Sequence, residues 1–206
     1  MAISEYHQKR INKPEEAILR RLLVKELELE KILGEVNYMP TADVLSVAIL
    51  GCADKRFVKL YKSMFEKFLH KTVEITTFDI TIEHLEGEAG VIQHDITTPL
   101  PNGPYDITLG HLVLRFIEAD KQWSVIKNSH EALKSPGLGI FVYDKEDIST
   151  QTVKRTDGYW AVPLEDYKQQ LSSENISFKD IQWILEVDNI DIPNRLLDGG
   201  ALVTIK

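Results

Sequence analysis

The chain has 206 residues, of which 43% are hydrophobic and 27% are charged, a composition typical of a globular protein. This length corresponds to about one domain with a short extension, which can bury enough surface to fold without disulfides. The net charge of −8, without a concentrated basic stretch, argues against a nucleic-acid partner, and the single cysteine, Cys52, excludes an internal disulfide framework and a multi-cysteine zinc site.

Residues 13–36 are predicted to form an N-terminal helix. Asn12 can cap it, Pro14 suits its first turn, and leucines and isoleucines recur at helical spacing. The apolar positions form a wide face that must be covered by the main domain or by a partner. We expect the helix to pack near the carboxyl ends of the strands, with Tyr6 and His7 close enough to cover a site there.

After Pro40 the pattern changes to strands that alternate with helices. The predicted strands are Val44–Leu50, Val73–Phe78, Val91–Gln93, Tyr105–Leu109, Gly139–Tyr143, Phe178–Val187 and Ala201–Ile205. The predicted helices are Asp54–His70, a segment that starts at Asp120 and ends before Ser135–Gly137, and Pro163–Ser172. This alternation indicates an α/β protein with a mostly parallel sheet, whose ligand crevice lies at the carboxyl ends of the strands.

Groups suited to a nucleoside follow three of these strands. Gly51 joins the first strand to a helix, where backbone N–H groups can face a ligand. Asp79 ends the second strand, where one carboxylate can accept from both hydroxyls of a ribose, and Asp95 ends the third. An ordinary turn explains each residue alone, but the three strand ends together favour a nucleoside site. The short distance between the two aspartates predicts that the helix between them is very short or missing.

Five segments resemble, in order and spacing, the motifs of the class I S-adenosylmethionine-dependent methyltransferases. They are residues 45–57, 75–81, 91–96, 105–114 and 133–143. The resemblance implies a three-layer, Rossmann-like sandwich with a mostly parallel seven-strand sheet and an antiparallel last strand. It makes residues 41–206 the methyltransferase-like domain and residues 1–40 a helical extension packed on it.

The resemblance also implies a site for S-adenosylmethionine and its product S-adenosylhomocysteine. In the family's pattern Asp79 holds the ribose, Asp95 flanks the adenine and Gly110 lies below the methyl group. The implied cofactor-binding residues are Gly51, Cys52, Ala53, Asp79, Ile80, Asp95, Ile96 and Gly110, and no metal is implied. Cys52 is expected to be a small wall residue and not a nucleophile.

Three positions depart from the family's first motif. Ile49 occupies the position where the motif usually has an acidic residue. Ala53 and Lys55 occupy the positions of its second and third glycines. A lysine in left-handed geometry would be strained by roughly 1–2 kcal/mol, so either the loop has another shape, or the cofactor sits differently, or the pocket is empty. If these residues weaken the site, replacing Ala53 and Lys55 by glycine is expected to tighten cofactor binding.

The segment after the fourth strand bears on the acceptor. Amino-methyltransferases of the family carry an Asn/Asp-Pro-Pro-aromatic motif where this chain has residues 109–112, which argues against adenine, cytosine or glutamine as acceptor. His111 can be a general base because imidazole titrates near neutrality, although a plain pocket wall is the simpler explanation. We expect the acceptor to enter between the N-terminal helix and residues 158–161, where Trp160 can line its pocket.

These observations predict a methyltransferase that acts on a small-molecule acceptor. The alternative is a degenerate protein of the same fold that serves as a binding or scaffold module. Asp79 and Asp95 favour the enzyme, whereas the departures from the first motif favour the alternative. Because no signal peptide or apolar membrane span is visible, we expect a cytoplasmic protein without a membrane partner. For its oligomeric state we expect a monomer or a homodimer.

Overall fold

The computed structural model describes residues 8, 12–187 and 195–206. Tyr6 and His7 lie outside these residues, so their covering of a site stays a prediction. Beyond residue 12, the helices are α1 (Glu15–Val36), α2 (Arg56–Leu69), α3 (Ala119–Glu131) and α4 (Leu164–Ser173), with short 3-10 turns at Glu83–Leu85, Leu114–Phe116 and Lys145–Asp147. No helix within the described ranges is both long and apolar enough to cross a membrane.

The main sheet has seven strands in the order β3-β2-β1-β4-β5-β9-β8. They are β1 (Val44–Leu50), β2 (Thr72–Asp79), β3 (Val91–Gln93), β4 (Tyr105–His111), β5 (Leu133–Asp144), β8 (Ser177–Val187) and β9 (Arg195–Ile205). Strand β9 is antiparallel to both of its neighbours, β5 and β8, and the other strand pairs of this sheet are parallel. The predicted Rossmann-like sheet with an antiparallel last strand is therefore confirmed. A small hairpin of β6 (Val153–Lys154) and β7 (Trp160–Ala161) was not predicted.

Several predicted boundaries were wrong. Strand β9 begins at Arg195, six residues before the predicted Ala201, and includes Gly199 and Gly200. The Asn12 side chain does not cap α1, because Pro14 occupies the N-cap without a side-chain hydrogen bond. The helix ends at Val36, as predicted, before a left-handed Asn37. The segment Ser135–Gly137 does not separate α3 from the next strand. Strand β5 runs through it, because Gly137 exchanges two backbone hydrogen bonds with Lys206, at 3.2 and 3.1 Å.

The alternation of side chains along β1 divides the core into two layers. Leu45, Val47 and Ile49 face the layer that contains α1 and α2. Ala48 and Leu50 face the opposite layer, which contains α3 and α4. Successive side chains of a strand point to opposite faces, so a strand buried on both sides reads as a continuous apolar run. With both faces covered, the carboxyl ends of the parallel strands are the open edge of the sheet.

Helix α1 packs on α2 and β8. Its buried apolar side chains are Ile18, Leu29, Ile32 and Leu33. Leu19 and Leu23 remain 53% and 45% exposed, so the main domain covers only part of the wide apolar face. Arg56 at the start of α2 donates to the Lys13 carbonyl at 3.0 Å, which holds the beginning of α1 close to the carboxyl end of β1.

Candidate functional site

A cavity of about 450 Å³ opens at the carboxyl ends of β1, β2 and β4, within the size range of small-molecule sites. Its lining is Gly51, Cys52, Ala53, Phe78, Asp79, Ile80, His94, Asp95, Ile96, His111, Val113, Phe116 and Ile117. The cavity brings together His111 and every sequence-predicted cofactor residue except Gly110. It lies where the strand order reverses between β1 and β4, the usual position of a ligand crevice in such sheets.

Gly51 makes the turn from β1 to α2. Its φ is +80°, and a Cβ there would lie 3.1 Å from Cγ2 of Val113, so both conformation and space favour glycine. Lys55, in contrast, has φ −57° and ψ −28°, an ordinary right-handed geometry. Within residues 51–55, the backbone is left-handed only at Gly51.

This geometry reverses one expectation from the sequence. Replacing Ala53 and Lys55 together by glycine is expected to leave the affinity for S-adenosylhomocysteine unchanged, because neither residue is strained. The start of α2 should become less stable by roughly 1 kcal/mol, because glycine at position 55 loses more conformational freedom. Calorimetric titration and thermal unfolding measure the two effects. A clear gain in affinity would show that the bound loop needs left-handed backbone at one of these positions.

The loop also presents backbone donors to the cavity. The N–H of Cys52 donates to Oδ2 of Asp79 at 2.9 Å, which ties the end of β1 to the end of β2. The N–H of Ala53, a lining residue, has no hydrogen-bond partner among the described residues. Together with the positive end of the α2 dipole, this N–H suits a carboxylate or another anion.

Asp79 is 8% exposed at the end of β2. Besides the Cys52 N–H, it accepts from the Thr81 N–H at 3.2 Å through Oδ1. A carboxylate has about four lone-pair sites, so each oxygen can still accept from a ribose hydroxyl. Sequence reasoning missed His84, whose buried Nε2 lies 2.7 Å from the Cys52 carbonyl and 3.9 Å from Asp79 Oδ2.

Asp95 and His94 form the far wall of the cavity. Oδ1 of Asp95 accepts from the N–H and the hydroxyl of Thr97, at 3.0 and 2.7 Å, and these hydrogen bonds lower the pKa of Asp95. The His94 ring lies 5.5 Å from that of Phe78. A 3-10 turn stands where the second helix would be, as predicted, and Ile80 beside it is 59% exposed.

Gly110 lies beneath the cavity and does not line it. A Cβ at this position would come within 2.8 Å of Cγ1 of Val113 and 2.9 Å of the Phe141 ring. The glycine therefore lets these two side chains approach the backbone of β4. Its implied contact with the cofactor gains no support from this packing.

His111, at the end of β4, is held from behind by helix α1. Its Nε2 lies 2.8 Å from Oε2 of Glu28, which is 6% exposed. Burial lowers the pKa of His111, as does the positive charge of Lys25, while Glu28 acts in the opposite direction. The imidazole is therefore neutral near pH 7 and able to accept a proton. Sequence reasoning missed Glu28, for which the signal was a carboxylate next to the apolar face of α1.

The remaining wall is apolar and comes from the segment after β4. The Phe116 ring packs edge-on against Tyr159 at 4.8 Å, so the loop predicted to flank the acceptor supports this wall. Arg115 anchors the segment through Asp144 and Asp147, at 2.6 and 2.5 Å. Trp160, predicted for the acceptor pocket, lies instead in a separate groove beside Trp123.

Cys52 has the environment of a wall residue. Burial raises the pKa of its thiol to about 12, and its Sγ lies 3.3 Å from the Asp54 carbonyl. A thiol with so high a pKa carries almost no thiolate at neutral pH, so it is a poor nucleophile. Across the described ranges, no three histidine, cysteine, aspartate or glutamate side chains are grouped so as to hold a metal ion.

Several solved structures of methyltransferases are similar to this architecture. The magnesium protoporphyrin IX methyltransferase of Synechocystis PCC 6803, solved with bound S-adenosylmethionine, is 13% identical at a TM-score of 0.59, over 100% of this chain and 86% of its own. The N-methyltransferase NodS of Bradyrhizobium japonicum WM9, in complex with S-adenosylhomocysteine, is 14% identical at a TM-score of 0.52, over 98% and 93%.

A third similar structure is the 1,6-didemethyltoxoflavin-N1-methyltransferase of Burkholderia thailandensis, with bound 1,6-didemethyltoxoflavin and S-adenosylhomocysteine. It is 10% identical at a TM-score of 0.55, over 100% of this chain and 92% of its own. No family model matches the sequence, and no curated protein sequence matches it either. By its strand order and its similarity to these structures, the chain has the fold of the class I S-adenosylmethionine-dependent methyltransferases.

Proposed function

We propose that the chain binds S-adenosylmethionine in the strand-end cavity and transfers its methyl group to a small-molecule acceptor, leaving S-adenosylhomocysteine. The observation that carries the proposal is one cavity lined by the Gly51 turn, Asp79 and Asp95. The similar structures give support, because two of them are named for small acceptors, magnesium protoporphyrin IX and 1,6-didemethyltoxoflavin. We further propose that the protein works in the cytoplasm.

The residues of the cavity fit this cofactor. The Asp79 carboxylate has lone pairs left for the ribose hydroxyls, and the Ala53 N–H suits the carboxylate of the methionine part. Ile80 and Ile96 offer apolar flanks for the adenine. When bound, S-adenosylmethionine supplies an electrophilic methyl group on a sulfonium.

The protein's own contribution is to position the acceptor and to exclude water. Val113, Phe116 and Ile117 give the remaining part of the cavity an apolar wall. Such a wall keeps water from the reacting atoms and holds an acceptor in line with the methyl group, and alignment alone supplies a large part of a rate enhancement. His111 is the candidate general base, since it lines the same cavity and is neutral near pH 7.

A specific observation favours the alternative, a binding or scaffold module of this fold. Ile49, at the position of the family's first-motif acid, is 1% exposed and packed in the core beneath α1 and α2. An acid therefore does not face the cofactor from this position. The two functions differ in a simple property, because only the enzyme needs an affinity for the cofactor.

Calorimetric titration of the full chain with S-adenosylhomocysteine tests the proposal. We expect one molecule to bind per chain, and we expect ATP, which shares the adenosine but lacks the amino-acid part, to give no comparable heat. Absence of heat at millimolar S-adenosylhomocysteine would overturn the proposal and support the scaffold function.

A further inference from the structure

We propose that Glu28 of the N-terminal helix is a positioning residue for His111, which it holds as the base for a phenol-type hydroxyl in the cavity. This inference rests on the proposed function and names the acceptor class of the same site. It makes α1 a part of the active site as well as a brace on the sheet.

The geometry of the pair fixes the position of the proton on His111. Oε2 of Glu28 lies 2.8 Å from Nε2, and an ionised carboxylate can only accept, so the proton of the neutral ring is on Nε2. Nδ1 of His111 has no hydrogen-bond partner among the described residues. It is also absent from the fully buried polar atoms without a partner, so part of its surface is accessible. Nδ1 is therefore the basic nitrogen of the ring, and a small molecule can approach it.

The burial of Glu28 argues for a dedicated role. Its neighbours on α1, Leu29 and Ile32, are 2% and 0% exposed and belong to the core. A carboxylate buried in such a layer loses its hydration, which destabilises the fold unless the carboxylate is paired. His111 is its only side-chain hydrogen-bond partner in the described part of the chain. The pair thus joins the helix to the cavity at the point where a base is required.

Burial keeps the His111 ring neutral, and the charges around it act in both directions on its pKa. The titratable groups that face His111, directly or across the cavity, are Lys25, Glu28, Tyr61, Asp144, Cys52, Asp79, His94 and Asp95. Burial and Lys25 lower the pKa of His111, whereas Glu28 and Asp144 raise it. Because the folded pKa lies below the ordinary value, the base is available at pH 7 and is lost only as the pH falls through that pKa.

The chemistry of the walls and of the base selects the acceptor. Val113, Phe116 and Ile117 suit an apolar ring. A neutral amine already carries a nucleophilic lone pair, whereas a phenol becomes a strong nucleophile only as its proton leaves. In the step, the hydroxyl proton passes to Nδ1 of His111 and then to water. The oxygen–methyl bond forms as the methyl–sulfur bond breaks, and that bond's electron pair stays on sulfur.

Nuclear magnetic resonance of the full chain with ¹⁵N-labelled histidine tests the pairing. We expect His111, assigned with His111→Gln, to carry its proton on Nε2 and to titrate below its ordinary pKa of about 6.5. In Glu28→Gln the pKa of His111 should fall further, because the carboxylate that raises it is gone. Glu35→Gln is the matched control, since it removes an exposed carboxylate of the same helix that pairs with Lys31 at 2.8 Å.

A proton found on Nδ1 in the wild-type protein would overturn the pairing, as would an unchanged titration in a folded Glu28→Gln variant. The wild-type spectrum alone decides the first point, so the test does not depend on the variant folding.

A second measurement tests the acceptor class. With S-adenosylhomocysteine bound, phenol is expected to move the ¹⁵N resonance of Nδ1, whereas anisole, which has the same ring without the hydroxyl proton, is expected to leave it in place. Equal effects of phenol and anisole would overturn the assignment of the acceptor and leave cofactor binding intact. Failure of S-adenosylhomocysteine to bind would overturn the proposed function instead, and the proton position on His111 would still decide the pairing.

Discussion

Replacing Asp79 by asparagine is expected to weaken the binding of S-adenosylhomocysteine by roughly 10- to 100-fold, the loss of about 1.5–3 kcal/mol that hydrogen bonds to a charged group contribute. In the proposed site, this carboxylate accepts hydrogen bonds from the ribose hydroxyls at the end of β2. Asparagine keeps one side-chain oxygen, which can still accept from the Cys52 N–H. The fold should therefore survive, and calorimetric titration with thermal unfolding separates the two effects.

Asp43→Asn is the matched control for this variant. The Asp43 side chain is fully exposed and lies 3.4 Å from Lys71, at the opposite end of the sheet from the cavity. The control makes the same change of charge without touching the site, so its affinity should equal that of the wild-type protein. If Asp79→Asn also binds like the wild-type protein, the ribose is not held by Asp79.

Replacing Arg56 by alanine is expected to lower the free energy of unfolding by about 1.5–3 kcal/mol, the contribution of hydrogen bonds to a charged group. Asp54 is 2% exposed, and Arg56 holds its two oxygens at 2.9 and 2.6 Å. Without the guanidinium, the buried carboxylate loses its ion pair and keeps, within the described part of the chain, only the hydrogen bond from the N–H of residue 56, at 3.0 Å. Urea unfolding of the variant measures the loss.

Two further variants complete this test. Lys62→Ala removes an exposed cation from the same helix, whose partner Glu66 lies 3.8 Å away, and should change the stability by less than about 0.5 kcal/mol. The double variant Arg56→Ala with Asp54→Asn should recover part of the loss, because the unpaired charge is then gone. An Arg56→Ala variant as stable as Lys62→Ala would mean that solvent reaches Asp54 and that the pair is not a structural anchor.

The fold could be predicted from the sequence where a strand is buried on both faces. Val44–Leu50 has the predicted ends, since a continuous apolar run between polar turns marks a parallel strand. Val91–Gln93 also has them, although it is a short strand at the edge of the sheet and is only partly buried. The start of β5 was missed because Pro136 usually ends a ladder, whereas here it lies in an extended strand held by the chain terminus. The hairpin of residues 153–161 was missed because two-residue strands carry no periodicity.

Some residues of the candidate site could also be predicted from the sequence, whereas others could not. Gly51, Asp79 and Asp95 could be placed together from the sequence, because the carboxyl ends of neighbouring parallel strands meet at one edge. Glu28 and His84 could not, since their partners stand 83 and 32 positions away in the chain. Neither contact follows a local spacing rule, so each depends on how the helices and turns pack on the sheet.

A crystal structure of the full chain grown with S-adenosylhomocysteine shows whether the strand-end cavity holds the cofactor. We expect the ligand in the strand-end cavity, with both ribose hydroxyls on the Asp79 carboxylate and the amino-acid part beside the Gly51 turn. Crystals grown at saturating ligand that leave this cavity without the ligand, or that bind it elsewhere, would contradict the account.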